Sequence, residues 1–180
     1  MNIKEEGGTV LGFLDREGRT CAKLRVSDDS SPSLNLYDKN GTVRAEMVVL
    51  ENSTTALCLK DRENKLRAVL SVEADGTQGL FLSDKNERYR AKLVVSQTGM
   101  PFVGLLGEHG ESRVTLAISD LTGWPLMALF DKDGNPRINL FVDAEGRSYI
   151  DRYRPWWYKV LLSATIAVLT LVFLLRSCRG

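Results

Sequence analysis

The sequence has few of the residues that most often perform catalysis or hold metal ions. Its 180 residues include one histidine and three cysteines. One histidine excludes His-rich metal sites and most histidine-based catalysis, and three cysteines are too few for a disulfide scaffold. Cys21 and Cys58 are isolated and form no CxxC motif, so they are not expected to ligate a metal. We therefore expect no enzymatic activity, no metal and no cofactor.

An excess of charge of one sign is also missing. The chain has 24 Lys and Arg against 23 Asp and Glu, a formal net charge of +1. Such a balance gives no long-range field to attract DNA or RNA, so nucleic acid is not an expected partner. A glycine-rich phosphate loop leading into a helix is absent, as is any amphipathic pattern of a soluble helix. The hydrophobic content of 43% indicates one globular domain with an appendage.

One long apolar run is present, and it lies near the C-terminus. Residues 160–175 (VLLSATIAVLTLVFLL) carry no charge, and residues 156–175 would form a helix of about 30 Å, the thickness of a bilayer core. Pro155 suits a first helical position. Aromatic and basic residues suited to a membrane interface flank the run: Arg152, Arg154, Trp156, Trp157, Tyr158, Lys159, Arg176 and Arg179. A transmembrane helix is favoured over a buried core helix, because paired tryptophans and basic flanks are unusual inside a globule.

The flanking charge also predicts an orientation. The N-terminus has early acidic residues and no long apolar run, so it is not a signal peptide, and more basic residues precede the apolar run than follow it. We expect a single-pass, tail-anchored protein with its N-terminal domain in the cytoplasm, a reducing compartment that suits free Cys21 and Cys58. Cys178 would lie at the membrane edge, where acylation is conceivable but not expected. The predicted segments are a tail (1–8), a β-repeat domain (9–150), a linker (151–155), the helix (156–175) and a short tail (176–180).

The predicted helix has one stripe of small residues. Ser163, Ala167 and Thr170 are spaced i, i+4 and i+7 and would share one face. Small and hydroxylated residues allow transmembrane helices to approach closely. The stripe is either incidental or the contact with another subunit's helix.

The rest of the chain is a repeat. Six units of 23 residues begin at Thr9, Pro32, Thr55, Gln78, Pro101 and Pro125, with Trp124 as one extra residue. Apolar residues recur at positions 3, 5, 14, 16 and 18 of each unit, which is the period of β-strands. Turn sequences such as Asp38-Lys-Asn-Gly41 separate the two runs. The repeat therefore predicts an all-β domain of about twelve short strands.

The spacing also predicts how the strands pair. Pairing position 5 with 14 and position 3 with 16 leaves a two-residue loop at positions 9 and 10, as in Asn40-Gly41, although Glu87 fits such a loop poorly. Pairing position 18 with position 3 of the next unit leaves an odd-length loop compatible with a Gly bulge. The resulting antiparallel meander has one apolar face that must be covered. We expect closure as a flattened barrel or sandwich; a β-solenoid and an intertwined trimer are the alternatives.

The polar residues suggest few sites. An arginine recurs at position 13, where it could bind anionic lipid or phosphate, but ion pairs with the turn aspartates or with Glu46 and Glu73 are favoured. The segment 131–135 resembles the start of a calcium loop, yet it lacks the later bidentate Glu and is better interpreted as a hairpin turn. His109 is expected to be a solvated turn residue.

The repeating unit resembles a known sequence class. The stretch Leu34-Asn-Leu36-Tyr-Asp38-Lys-Asn-Gly41-Thr-Val-Arg44-Ala45-Glu-Met47-Val-Val49 is similar to LxLxDxxGxxRAxLxV repeats of bacterial membrane-anchored proteins of unassigned function. The resemblance covers nearly all of the repeat domain and implies a bacterial β-repeat protein of the inner membrane. It brings no catalytic residues.

These features lead to three functional hypotheses. The first is a non-catalytic accessory subunit that braces the cytoplasmic face of a larger membrane complex, for which a respiratory or photosynthetic complex is one host. The second is a self-associating trimeric stalk or fibre. The third is a membrane-tethered ligand sensor, which would need a pocket of converging polar groups. Irregularities in the fifth unit and after it mark Phe102, His109 and Trp124 as candidate partner contacts.

Overall fold

The computed structural model describes residues 3–5, 8–119 and 121–152, and its regular structure in these residues is entirely β. The fourteen strands are β1 (Ile3–Glu5), β2 (Gly8–Leu14), β3 (Thr20–Val26), β4 (Pro32–Tyr37), β5 (Val43–Val49), β6 (Thr55–Lys60), β7 (Leu66–Val72), β8 (Gln78–Ser83), β9 (Tyr89–Val95), β10 (Pro101–Leu106), β11 (Ser112–Ile118), β12 (Pro125–Phe130), β13 (Pro136–Val142) and β14 (Ser148–Arg152).

The strands form one open antiparallel sheet in chain order. Strands β2–β13 are the twelve that the repeat predicts, and β1 and β14 add one strand at each end. Within the described residues each strand contacts only the strands before and after it. The antiparallel meander is therefore confirmed. Closure of the single chain into a barrel or sandwich is wrong, and so is the solenoid, because consecutive strands pair directly and the two ends of the sheet do not meet.

The turns differ from the expected two-residue loops. The turn within the second unit is closed by two backbone hydrogen bonds, from Asp38 N to Thr42 O (2.9 Å) and from Gly41 N to Asp38 O (3.0 Å). It thus has three loop residues, and only Gly41 has a positive φ (78°). A type I turn followed by a left-handed residue explains this geometry. Turns between units follow the same pattern, and there position 18 pairs with position 1, as in Val49↔Thr55, rather than with position 3.

A β-bulge follows each turn within a unit. In the second unit Leu36 pairs with Ala45 and Tyr37 with Val43, so Arg44 is the extra residue between the two pairs. The pairing of position 5 with 14 and of position 3 with 16 is as predicted. The bulge places the recurring arginine of position 13 at an unpaired site, from which its side chain can turn toward the loop.

The two faces of the sheet differ in chemistry and in burial. Positions 1, 3, 5, 14, 16 and 18 lie on the first face, which we call the leucine face; we call the opposite face the mixed face. The buried hydrophobic side chains all lie on the mixed face: Val10, Ala56, Val69, Val94 and Ala128. The expectation that the leucine face forms the core of the single chain is wrong, because without closure nothing in the described structure covers it.

The predicted membrane anchor lies outside the described residues. Among residues 3–5, 8–119 and 121–152 no helix is long and apolar enough to cross a bilayer. The helix predicted at 156–175, its flanking residues from Arg154 onward, the Ser163–Ala167–Thr170 stripe and Cys178 lie outside the described residues.

Candidate interaction surface

A ladder of large apolar side chains runs along the middle of the leucine face. Each member pairs with the next across the sheet, from β2 to β14. This central row consists of Leu11, Leu24, Leu34, Met47, Leu57, Leu70, Leu80, Leu93, Val103, Leu116, Met127, Leu140 and Ile150. Several members are about half exposed, including Met47 (51%), Leu70 (53%) and Leu93 (51%). No other part of residues 3–5, 8–119 and 121–152 covers these side chains, so they form one layer of a core whose second layer must come from elsewhere.

An outer row on each side completes the leucine face. In the first four units the row near the turns within units alternates large and small residues from strand to strand, as in Leu36↔Ala45 and Leu82↔Ala91. The row near the turns between units alternates valine with threonine, glutamine or proline, as in Val49↔Thr55. Within β2–β13 these positions hold no Asp, Glu, Lys or Arg. The face is therefore uncharged over twelve strands.

The area of the leucine face is large for an uncovered surface. Thirteen spacings between strands at about 4.8 Å make the sheet roughly 60 Å long, and six or seven residues at about 3.3 Å make it roughly 20 Å wide. The product, about 1,200 Å², is about twice the largest apolar patch of a typical monomer. All but five of the exposed large hydrophobic side chains lie on this face; the exceptions are Leu14, Leu50, Tyr89, Leu121 and Tyr149. An exposed patch of this size indicates an interaction site.

The mixed face is covered by its own side chains. Long residues lie across small ones: a Cβ on Gly104 would stand 3.0 Å from Lys92 Cε, and a Cβ on Gly79 would lie 2.5 Å from the Phe81 ring. The Lys92 ammonium also stands 5.0 Å from the centre of the Phe102 ring. Small residues are buried because their larger neighbours fold over them. This face therefore needs no partner to remove its apolar groups from water.

An aromatic stack lies at the C-terminal end of the mixed face. Trp124 stacks on Phe141 (ring centres 6.1 Å apart), and Phe141 stacks on Tyr149 (5.0 Å). The Tyr149 hydroxyl donates to Asp143 Oδ2 at 2.9 Å. The buried Asp143 carboxyl loses solvation, yet hydrogen bonds from Arg147 and Tyr149 outweigh that loss and lower its pKa. The Trp124 side chain thus has a structural role within the sheet, where the sequence suggested a partner contact.

The three predicted partner-contact residues are not brought together. Phe102 and Trp124 lie on the mixed face near the turns between units. His109 lies at the opposite edge, in the turn from Gly107 to Glu111, as the solvated turn residue that the sequence predicts. Whether any of the three contacts a partner stays a prediction. The extra residue of the repeat lies in the turn from Ser119 to Trp124, which is one residue longer than the other turns between units.

The recurring arginine pairs with the turn aspartate of its own unit. Arg44 Nη1 lies 3.5 Å from Asp38 Oδ2, and Arg44 Nε donates to the carbonyl of Lys60 in the next unit at 2.9 Å. Arg67, Arg90 and Arg137 pair in the same way with Asp61, Asp84 and Asp131. Ion pairing of the arginine column is therefore as predicted, whereas Glu46 pairs with Lys60 and not with the column.

Each turn aspartate also organises its loop. The Asp38 carboxylate accepts hydrogen bonds from Asn40 N (2.8 Å) and Thr42 N (3.1 Å). These backbone donors, with Arg44 beside them, lower the Asp38 pKa. The effect is largest at Asp131, where the Asn135 N–H, the Arg137 guanidinium and the Asp133 N–H lower the pKa to about 2. Because Asp131 is saturated by its own loop and faces a guanidinium, this segment is a hairpin turn and not the start of a calcium site.

The fifth unit keeps this turn with its residues exchanged. Gly107 replaces the aspartate, and the Glu111 side chain reaches back into the vacated place: a Cβ on Gly107 would fall 1.7 Å from Glu111 Oε1. Glu111 Oε2 accepts from His109 N at 3.0 Å, and Arg113 Nη1 lies 3.6 Å from Glu111 Oε1. In the fifth unit the Glu111 carboxylate therefore takes the place that the turn aspartate has in the other units. The sequence contained a clue, since position 11 holds a carboxylate only in this unit.

The grooves on the surface of the described residues are shallow. One is a groove of about 810 Å³ on the mixed face, lined by serines together with Arg25, Asn35 and Glu46. No group of three or more His, Cys, Asp or Glu side chains is arranged to hold a metal ion in the described part of the chain. Cys21 is exposed and Cys58 half-buried, and burial raises the pKa of the Cys58 thiol.

Comparison with known proteins gives no family. No protein-family model matches the chain, and no curated protein matches it by sequence. Among solved structures, the TCP domain of SAS-4 (dCPAP) of Drosophila melanogaster, determined in complex with a proline-rich motif of Ana2 (dSTIL), is 9% identical. The alignment covers 80% of this chain and 90% of that domain, with a TM-score of 0.35. Similarity at that level does not establish a shared fold.

Proposed function

We propose that the chain is a non-catalytic, tail-anchored structural subunit that braces the cytoplasmic face of a larger membrane protein assembly in a bacterial inner membrane. The exposed leucine face is the observation that carries the proposal. About 1,200 Å² of uncharged apolar surface is costly in water, at about 25 cal/mol per Å² of apolar area, and is suited to permanent contact with protein. We infer that binding, not bond-breaking chemistry, is its task.

The order of the strands supports a bracing role. Along the chain β14 is the strand nearest to the predicted helix at 156–175, and β1 lies at the other end of the sheet. A sheet roughly 60 Å long could then reach well beyond the lipid surface. The stripe of Ser163, Ala167 and Thr170 would provide a second contact, between the anchor and another transmembrane helix.

A self-associating stalk is the second candidate. The same leucine face favours it, because each repeating unit offers the same apolar residues to another copy. The third hypothesis, a ligand sensor, has less support, since the groove beside Arg25 and Glu46 is open and shallow.

The native cysteines allow the tether to be tested in the full chain. In a Cys58→Ser background, Cys21 reports on the sheet domain and Cys178 on the far side of the membrane. In spheroplasts, a membrane-impermeant maleimide should label Cys178 at once and Cys21 only after permeabilisation. Labelling in the reverse order would overturn the orientation. As a control for the anchor, Ile166→Lys with Leu169→Lys should release the chain into alkaline carbonate, because each charge costs about 3 kcal/mol at the centre of a transmembrane helix.

The structural role requires separate evidence. Solubilised membranes should yield the chain in a stable, stoichiometric assembly, and Leu80→Asp on the leucine face should disrupt that assembly. Thr115→Asp, on the mixed face, is the matched control and should leave it intact. A chain that remains monomeric in mild detergent, with its leucine face uncovered, would overturn the proposal.

A further inference from the structure

We propose that the leucine face is covered by the leucine face of a second copy of this chain. The two sheets would pack face to face and parallel, unit against unit, about a two-fold axis along the direction in which the strands stack. The inference goes beyond the proposed function: a second copy covers the leucine face, and the pair of chains would then be the bracing unit. Its parallel orientation rests on that function, because two C-terminal anchors must enter the same membrane.

The area of the face is sufficient for a stable pair. A standard protein–protein interface buries about 800 Å² on each partner, and the leucine face offers about 1,200 Å². Two antiparallel sheets pack about 10 Å apart with their inner side chains interdigitating. A second copy would therefore convert one half-covered sheet into a complete sandwich core.

The absence of charge favours an identical partner. Charges at an interface give specificity for a different protein and fix its register. Positions 1, 3, 5, 14, 16 and 18 of β2–β13 hold none, so only shape can set the register here. The leucine face of another copy has the same spacing of apolar residues and is therefore complementary in register to this one.

The pattern of large and small residues fits the two-fold axis. The central row would lie on the axis and face its own counterpart, Leu70 against Leu70. Rotation about this axis places the outer row near the turns within units opposite the outer row near the turns between units. On the first strand of a unit the leucine of position 5 (Phe13 in the first unit) then faces threonine, glutamine or proline of position 1. On the second strand of the first four units the alanine of position 14 faces valine of position 18; in the last two units Val114 and Ile138 stand at position 14, so the match of large to small holds there only on the first strand.

The third unit illustrates this match. Leu59 of one copy would face Thr55 of the other, and Ala68 would face Val72. In each case a larger side chain meets a smaller one. Alternating volumes across facing positions allow two layers to interdigitate without voids or overlap.

Thiol crosslinking in the full-length chain tests both the contact and its direction. Cys21, Cys58 and Cys178 are first replaced by serine. Leu116→Cys, in the central row, should then crosslink to itself with a short bismaleimide, whereas Thr115→Cys, on the mixed face of the same strand, should not. A bismaleimide is needed because facing sheets lie about 10 Å apart, farther than the Cα separation that a disulfide spans. Leu93→Cys is a second reporter if Leu116→Cys folds poorly.

Mixed samples determine the direction. Leu24 and Leu116 lie on β3 and β11, eight strand spacings or about 38 Å apart. Parallel pairing predicts Leu24→Cys to itself and Leu116→Cys to itself, with no mixed product between differently tagged chains. A mixed product as the main species would mean antiparallel copies and would overturn the two-fold axis proposed here.

The native mass of the detergent-solubilised chain separates this inference from the proposed function. Two copies of the 20.1 kDa chain are expected in each solubilised assembly, and a bare dimer would support the inference while overturning the bracing role. A homotrimer would overturn the two-fold pairing and support the trimeric stalk. One copy bound to different subunits would overturn the inference and leave the proposed function standing, whereas an unaccompanied monomer would overturn both. A dimer that alkaline carbonate releases from membranes would contradict only the tether.

Discussion

Truncation of one leucine should weaken association without a matching loss of folding. Leu70 is 53% exposed in the single chain and lies in the middle of the central row, on β7. Complete burial of a leucine side chain contributes about 1.5–3 kcal/mol, so the half that is still exposed can contribute about 1 kcal/mol. Leu70 occurs once in each copy. Leu70→Ala should therefore cost about 2 kcal/mol of association free energy, which raises the dimer Kd roughly 30-fold.

Val69→Ala is the matched control, because the two residues are adjacent but point to opposite faces. Val69 is 9% exposed and lies on the mixed face. Its truncation removes packing within the sheet and should lower the free energy of unfolding by about 1–2 kcal/mol. It removes nothing from the leucine face, so the Kd should stay within about threefold of the wild-type value.

The assay is sedimentation equilibrium of the full chain in density-matched detergent, with urea unfolding measured in parallel. Leu70→Ala should change mainly the Kd and Val69→Ala mainly the unfolding midpoint. If both variants shift the Kd equally, or if Leu70→Ala leaves it unchanged, the leucine face is not the interface and the reasoning is refuted.

Three further predictions concern the turns. Ser53 has a positive φ of 67°, so Ser53→Gly should relieve strain and raise the free energy of unfolding by about 0.5–1 kcal/mol in urea titrations; a lowered midpoint would contradict this. Asp131 should titrate with a pKa of about 2 by NMR, below its ordinary 3.8. The stability that its ionised form provides is then complete above about pH 4 and is lost as the pH falls toward 2; Asp131→Asn should flatten this acid loss, and a midpoint near 4 would refute the turn geometry. Gly107→Asp should lower the Tm where Glu111 is present and be rescued by Glu111→Thr; equal effects in both backgrounds would contradict the exchange of roles.

The strand pairing could be predicted from the sequence because a period of two leaves little freedom. Shifting Leu36 by one residue relative to Ala45 would put apolar side chains on both faces, so the register follows from the pattern. The turns could not be predicted in the same way. Asp38-Lys-Asn-Gly41 is compatible with a two-residue loop and with a three-residue loop, and the choice depends on the Asp38 carboxylate, which accepts from the backbone at positions 9 and 11.

Which molecule covers the leucine face could not be predicted from the sequence, for a different reason. Alternation shows that a residue such as Leu93 needs an apolar neighbour above it, but the pattern is the same whether the neighbour belongs to its own chain or to another. Closure requires a sheet that bends until its edge strands β1 and β14 meet, and the repeat pattern does not show whether the sheet bends that far. The buried residues were missed too, because on the mixed face Val69 and Val94 have polar residues two positions before and after them in the chain.

The repeat itself links the open sheet to its expected partner. Because each strand contacts only its neighbours, the stability of the sheet grows unit by unit, as in other repeat proteins. Every added unit also adds the same apolar area to the leucine face. The free energy of exposing that face to water therefore rises with the number of units, as the stability of the sheet does. A partner with another spacing would drift out of register along a sheet about 60 Å long. A second copy has the same 23-residue period and the same interruption at Trp124, so it stays in register along the whole sheet. Each added unit therefore exposes more apolar area and also provides the matching area on the second copy that covers it.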